Sequence, residues 1–134
     1  MDSANLNVVR SIYAAWERGD FGSDEWAHSE IECVMADGPD AGTWRGLIEM
    51  PGIRRALLGA WEGYRTEAEE YRDLDHERVL VLIRRAGRGK KSGLELGQLG
   101  TKGAGIFHLR DGKVTRLVTY WEGDRALADL GLKE

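Results

Sequence analysis

The stretch that decides the fold is Ala104-Gly105-Ile106-Phe107-His108-Leu109-Arg110-Asp111-Gly112-Lys113-Val114-Thr115-Arg116-Leu117-Val118-Thr119-Tyr120-Trp121. Two β-rich runs meet at Asp111-Gly112. A two-residue hairpin turn needs positive φ at both positions, which Asp-Gly tolerates, so the spacing predicts a tight hairpin. The second run leads straight into a short helix starting near Asp124. At the other end of the chain, Leu6, Val9, Tyr13 and Trp16 are spaced three, four and three apart. That is one face of a helix running from about Ser3 to Arg18, with Gly19 as its stop. Helices first and a run of strands last is the order of an α+β domain, not of alternating β-α-β units.

Between these ends the pattern predicts a short helix over Ser23–His28 and a strand over Ile31–Met35. The turn residues Asp37-Gly38-Pro39-Asp40 and the extended piece Thr43-Trp44-Arg45 follow. Leu47 to Glu62 reads as one turn and then a helix that opens on Pro51, where no N–H is needed. Tyr64–Leu74 is a mostly polar strand and Asp75-His76-Glu77 a turn. Val79–Ile83 is apolar at every residue, the mark of a central strand covered on both faces. Leu94–Leu99 and Ala104–Leu109 read as halves of one long strand, loosened by glycines. Gly131 closes the last helix in a Schellman stop with Leu132.

The chain has 134 residues, a formal charge of −4, 42% hydrophobic and 31% charged residues. This suits one domain over residues 1–134 with its own core. The acidic balance argues against nucleic-acid and membrane-surface binding. A lone Cys33 excludes an internal disulfide. No run is long and apolar enough to span a membrane, and the N-terminus lacks a signal-peptide pattern, so the cytoplasm is the default.

The residues Val8-Val9-Arg10-Ser11-Ile12-Tyr13-Ala14-Ala15-Trp16-Glu17-Arg18-Gly19-Asp20-Phe21, then Trp44-Arg45-Gly46, carry a likeness to a known family. Asp111-Gly112-Lys113-Val114, Tyr120-Trp121 and Ala126-Leu127-Ala128-Asp129-Leu130-Gly131-Leu132 complete it. In this order they resemble the SnoaL-like domains of the nuclear transport factor 2-like superfamily. The resemblance spans nearly the whole chain. It implies a cone: a curved, mixed but mostly antiparallel sheet with N-terminal helices over its concave face. It also implies a pocket between helices and sheet, and frequent dimers through the sheet. It does not imply one activity. Polyketide cyclases, ketosteroid isomerases, epoxide hydrolases, dehydratases and non-catalytic binding domains share this shape, so function rests on the site. Neither the Asp-Arg-Asp trio of the epoxide hydrolases nor the acid-base set of the steroid isomerases can be placed on this chain.

Candidate chemistry starts with carboxylates, because a carboxylate desolvated among aromatics can work as acid or base near neutrality. Glu32 alternates with Ile31 and Cys33 and is the first choice for the pocket. Glu67, Glu69 and Glu95 are others, and the competing reading is a solvated sheet residue. His28 or His108 beside Glu32 would make a proton shuttle, against the plainer reading of a hydrogen-bonded structural histidine. His76 reads as an exposed turn residue. No spacing suggests a metal, and no cofactor is expected. Trp16, Trp26, Trp61, Tyr64, Phe107 and Tyr120 are the candidate ligand-lining aromatics, against a role in the core. Arg84 to Lys91 holds five basic residues in eight and reads as a solvated hairpin tip. Its glycines lack the setting of a phosphate loop.

Two readings stay open: a cofactor-free isomerase, cyclase or hydrolase using one pocket carboxylate, and a non-catalytic ligand- or protein-binding module. A homodimer through the outer sheet face is also expected. Helices over one face would leave Leu80 and Leu82 uncovered on the other.

Overall fold

In the computed structural model, Asp111 and Gly112 take φ of 52° and 78°. They join Arg110 to its cross-strand partner Lys113, so the hairpin is the one expected. The structure describes residues 4–20, 25–37, 42–89 and 102–132. The elements are α1 (Ala4–Glu17), β1 (Ala27–Met35), β2 (Gly42–Arg45), α2 (Gly46–Ala60), β3 (Trp61–Asp73), β4 (Arg78–Gly89), β5 (Lys102–Arg110), β6 (Lys113–Tyr120) and α3 (Gly123–Asp129). The strands form one curved, open sheet in the order β2-β1-β6-β5-β4-β3. All neighbours are antiparallel except β1 and β6, which run parallel.

Strand alternation sorts the side chains into two layers. On the inner face Ile31, Cys33, Val79, Val81, Ile83, Phe107 and Leu117 pack under Leu6, Val9, Ile12 and Tyr13 of α1. Leu47 and Met50 of α2 lie against the same cluster. On the outer face Leu80, Ala104, Ile106, Val118 and Tyr120 pack with Ala126 and Leu127 of α3. The last helix therefore covers part of the outer face, over β5 and β6. Leu80 is fully buried within one chain, so the uncovered patch from which a dimer was expected is absent at that position. The helix ends as expected: the Leu132 N–H donates to the Leu127 carbonyl at 2.8 Å and the Gly131 N–H to Ala128 at 3.0 Å.

Several boundaries differ from the sequence reading. Glu25 and Trp26 form a turn and β1 begins at Ala27, so the region up to His28 is not the end of a helix. The physical reason is pairing: the Val114 N–H donates to the Trp26 carbonyl at 2.8 Å, which ties this segment to β6. α2 runs unbroken from Gly46 with Pro51 inside it. Its start is fixed instead by Glu49, whose Oε1 accepts the Arg45 N–H at 2.6 Å, a carboxylate reaching back to the helix entry. Trp61 opens β3 opposite Gly89 instead of closing the helix. β4 continues past Ile83 to Gly89, so Arg84, Arg85 and Ala86 are strand residues and not a hairpin tip. The expected Ser3 cap, the strand Leu94–Leu99 with Glu95, and Lys90 and Lys91 lie outside the described residues. No helix among the described residues is long and apolar enough to cross a membrane.

Candidate ligand-binding site

The inner layer carries a cluster of rings. Tyr13 meets Trp16 edge-on with centroids 5.0 Å apart, Phe107 at 5.7 Å and Tyr71 at 6.3 Å. Trp16 in turn stands edge-on to Trp26 at 6.0 Å and lies 6.4 Å from Phe107. The helix spacing of Tyr13 and Trp16 brings both down onto Phe107 of β5. Edge-on pairs of this kind are each worth about 0.5–1.5 kcal/mol beyond area burial. Phe107 is wholly buried and forms the floor, whereas Trp16 and Trp26 are half-buried and packed against the core. Of the expected ligand-lining residues, Trp16, Trp26 and Phe107 are thus brought together. The side chains of Trp61 and Tyr64 lie outside the described residues. Tyr120 is on the other face, under α3, and its hydroxyl donates to Asp129 at 2.9 Å. Burial, with Asp129 beside it, holds its phenol above the usual range.

The titratable candidates do not join this cluster. Ile31 and Cys33 point inward, so Glu32 points outward by alternation. The expectation that Glu32 borders the inner pocket is therefore reversed. Its Oε1 pairs with Arg116 at 3.0 Å and its Oε2 with Arg45 at 3.5 Å. Both arginines are its direct cross-strand partners. His28 is exposed on β1, and its Nδ1 accepts the Glu30 N–H at 3.0 Å. His108 sits on the outer face between Arg78 and Arg116, its partners on the two neighbouring strands. Burial and these two guanidinium charges hold its imidazole below the ordinary value. Glu32 and His108 are separated by Arg116 in the strand register and form no mutual pair.

Cys33, buried on the inner face, has its thiol pushed up to about 11 by burial and by the Glu32 charge. Among the described residues no group of His, Cys, Asp and Glu is arranged to hold a metal ion.

Sequence reasoning missed the polar end of the inner layer. Arg85 is buried, with 2% of its surface exposed. Its Nη2 donates to the Tyr120 carbonyl at 2.9 Å and its Nη1 to the Trp121 carbonyl at 3.3 Å, while the guanidinium lies over the Trp121 ring at 4.5 Å. From the other side, Asp37 accepts the Trp121 N–H at 2.6 Å and the Glu122 N–H at 3.3 Å. A cation on the carbonyls and an anion on the N–H groups clamp one bend of backbone. Thr66, the cross-strand partner of Arg85, is also buried. Its hydroxyl has no hydrogen-bond partner among the described residues. The signal for Arg85 was the Val79, Val81, Ile83 alternation, which continues to position 85.

Two helices over the inner face of an open six-stranded sheet, a parallel β1–β6 pair and a closing hairpin decide the fold. The chain has the nuclear transport factor 2-like fold. No protein-family model and no curated protein matches the sequence; the likeness is structural. A nuclear transport factor 2-like protein of unknown function from Burkholderia pseudomallei superposes with a TM-score of 0.77 at 19% identity, covering 95% of this chain and 97% of that one. TerC, co-crystallised with polyporic acid, gives 0.75 at 21% identity, covering 96% and 98%. A protein with a ketosteroid isomerase-like fold from Catenulispora acidiphila, in complex with trimethylamine, gives 0.68 at 16% identity, covering 94% and 93%. The SnoaL-like resemblance read from the sequence agrees with these nuclear transport factor 2-like neighbours at the level of the fold.

Proposed function

We propose that this nuclear transport factor 2-like cone binds a small, flat, largely apolar molecule on its inner face, against Trp16 and Trp26. The observation that carries the reading is the ring cluster of Tyr13, Trp16, Trp26 and Phe107, whose two tryptophans are half-buried. Partly exposed aromatic side chains beside an apolar core are a common wall of a small-molecule site. Glu32, His28 and His108 stand off that layer, so the reading assigns them no catalytic step. It is the binding-module reading of the two that the sequence left open. TerC co-crystallised with polyporic acid offers a precedent for a small-molecule ligand on the same fold.

Fluorescence titration with N-phenyl-1-naphthylamine, a neutral aromatic probe, tests this. Saturable binding with energy transfer from tryptophan is expected, weakened about fivefold in Trp16→Ala as a stacking partner is lost. Absence of saturable binding rejects the reading, and so does a Trp16→Ala variant that binds as well as wild type. The same reading includes a second copy of the chain against the outer sheet face, of which α3 covers only the part around Leu80. Light scattering that reports a monomer at micromolar concentration rejects that part alone.

A further inference from the structure

We propose that two copies of this chain join edge to edge along β3, around a two-fold axis at Thr66, into one continuous sheet. The inference goes beyond the ligand-binding reading and does not depend on it. β3 is an outermost strand of the sheet and, among the described residues, pairs only with β4. Its free edge can be followed from one bond. The Ala68 N–H leaves the ladder and donates to Oε1 of Glu17 at 3.1 Å. Successive N–H groups along a strand point to opposite edges, and the β3–β4 register is unbroken from Arg65 to Ala68. The Thr66 N–H and carbonyl therefore also point away from β4. An open cleft of about 300 Å³, lined by Glu17, Arg65, Thr66, Glu67, Arg84 and Ala86, lies along this edge. The Thr66 side chain is buried, so what Thr66 offers a partner is its backbone.

An unpaired strand edge is a template for another strand, and charge selects a second copy of this one. Antiparallel pairing with Thr66 opposite Thr66 sets Arg65 of each copy opposite Glu67 of the other. Both side chains are exposed, and they alternate with Thr66 and the inward-packed Ala68, which places them on the outer face. Neither has an ion-pair partner among the described residues. Arg84 is the cross-strand neighbour of Glu67, so in the dimer that carboxylate stands between two arginines. The chain uses the same arrangement elsewhere: Glu32 bridges Arg45 and Arg116, its neighbours on the two flanking strands. Other registers are disfavoured. Centring the axis on Glu67 or Ala68 would set Glu67 against itself or against Glu69, and like charges directly opposite are destabilising. On pairing at Thr66, the Ala68 N–H exchanges the Glu17 carboxylate for a backbone carbonyl, so no donor is orphaned.

Sedimentation equilibrium and amide hydrogen exchange, from micromolar to millimolar protein, test this. The Thr66 amide is expected to gain protection as wild type associates, whereas the Glu67 amide, turned toward β4, is protected throughout. Arg65→Glu and Glu67→Arg each set like charges across the axis twice. Each alone is expected to raise the dissociation constant at least about tenfold. Mixed in equal amounts, the two variants carry opposite charges along the edge and are expected to form a heterodimer with an affinity close to that of wild type. Both positions are exposed; thermal melts identify a variant that fails to fold, and the other alone still tests the contact. A Thr66 amide that stays unprotected in wild type at millimolar concentration overturns the inference. A mixture that associates no better than its components does the same. If wild type associates and both variants associate equally well, the edge contact is overturned while the outer-face contact stands.

Discussion

The Arg85 guanidinium occupies the space that a side chain at position 103 would need. A Cβ added to Gly103 would overlap Nη1 of Arg85 and stand 2.6 Å from the Tyr120 carbonyl oxygen. The second contact is with backbone, so a rotamer change of Arg85 cannot relieve it. Gly103→Ala should therefore push β5 away from β6 or break the Arg85–Tyr120 bond. The expected cost is about 1–3 kcal/mol, typical of overpacking, read as a lower urea midpoint. A midpoint equal to that of wild type would show that this corner has slack.

Cys33 should be silent in the folded protein. Its thiol is buried on the inner face and pushed up to about 11. At neutral to mildly alkaline pH almost none is thiolate, and the thiolate is the reactive species. Ellman's reagent should leave the native protein unmodified and titrate one thiol per chain in denaturant. Rapid modification without denaturant would place the thiol at the surface.

The two ends of the chain were legible in the sequence because local rules agreed there. Leu6, Val9, Tyr13 and Trp16 share one helix face, Asp111-Gly112 has one suitable turn, and Gly131 with Leu132 has one way to stop a helix. The middle was less legible. β1 extends back to Ala27 through pairing with β6, a partner more than eighty residues away, which no local pattern at Trp26-Ala27-His28 announces. β4 was cut short at Ile83 because a basic run suggested solvent, although alternation carried on to Arg85. The site suffered most from a choice of face. Alternation correctly separated Glu32 from Ile31 and Cys33, but which set turns inward is decided by the helices packed on the sheet. A single curved sheet with its helices over one face would leave the other face bare. Ala126 and Leu127 of α3 nevertheless join the cluster around Leu80.

Glu32 should matter slightly for stability and not at all for ligand binding. Its carboxylate is one-third exposed and bridges Arg45 and Arg116. Exposed ion pairs contribute roughly 0–1 kcal/mol and weaken with salt. Glu32→Gln should thus lower the urea midpoint by the equivalent of about 0.5–1 kcal/mol at low salt, with a smaller loss at high salt. Affinity for the neutral aromatic probe should be unchanged. A strong loss of binding in this variant would return Glu32 to the pocket.

Trp16 should contribute strongly to stability despite being half-buried, because its ring touches Tyr13, Trp26 and Phe107 at once. Trp16→Ala is expected to cost about 3 kcal/mol, the low end for a large aromatic removed from a core. Trp16→Phe should recover much of it. An unchanged denaturation midpoint in the alanine variant would mean that the ring cluster is not packed as described.

His108 should make the protein sensitive to mild acid. Burial lowers its pKa first, and Arg116 and Arg78 on the flanking strands lower it further, with Asp75 and Glu77 opposing. The folded value thus lies below the ordinary 6.5. The neutral imidazole is the form that fits between two guanidiniums, and the unfolded chain takes up a proton first as pH falls. The contribution to stability is therefore fully present above pH 6.5 and is lost as pH drops from there through the folded value. His108→Gln keeps a neutral polar side chain but cannot titrate. Asp75, held below its ordinary range by the Glu77 N–H and by Arg78, adds acid sensitivity that both proteins share, so the difference between them isolates the histidine. Urea midpoints at about pH 7.5 and about pH 5 should fall further in wild type than in His108→Gln. Equal falls would show that the imidazole is as free to protonate in the folded chain as in the unfolded one.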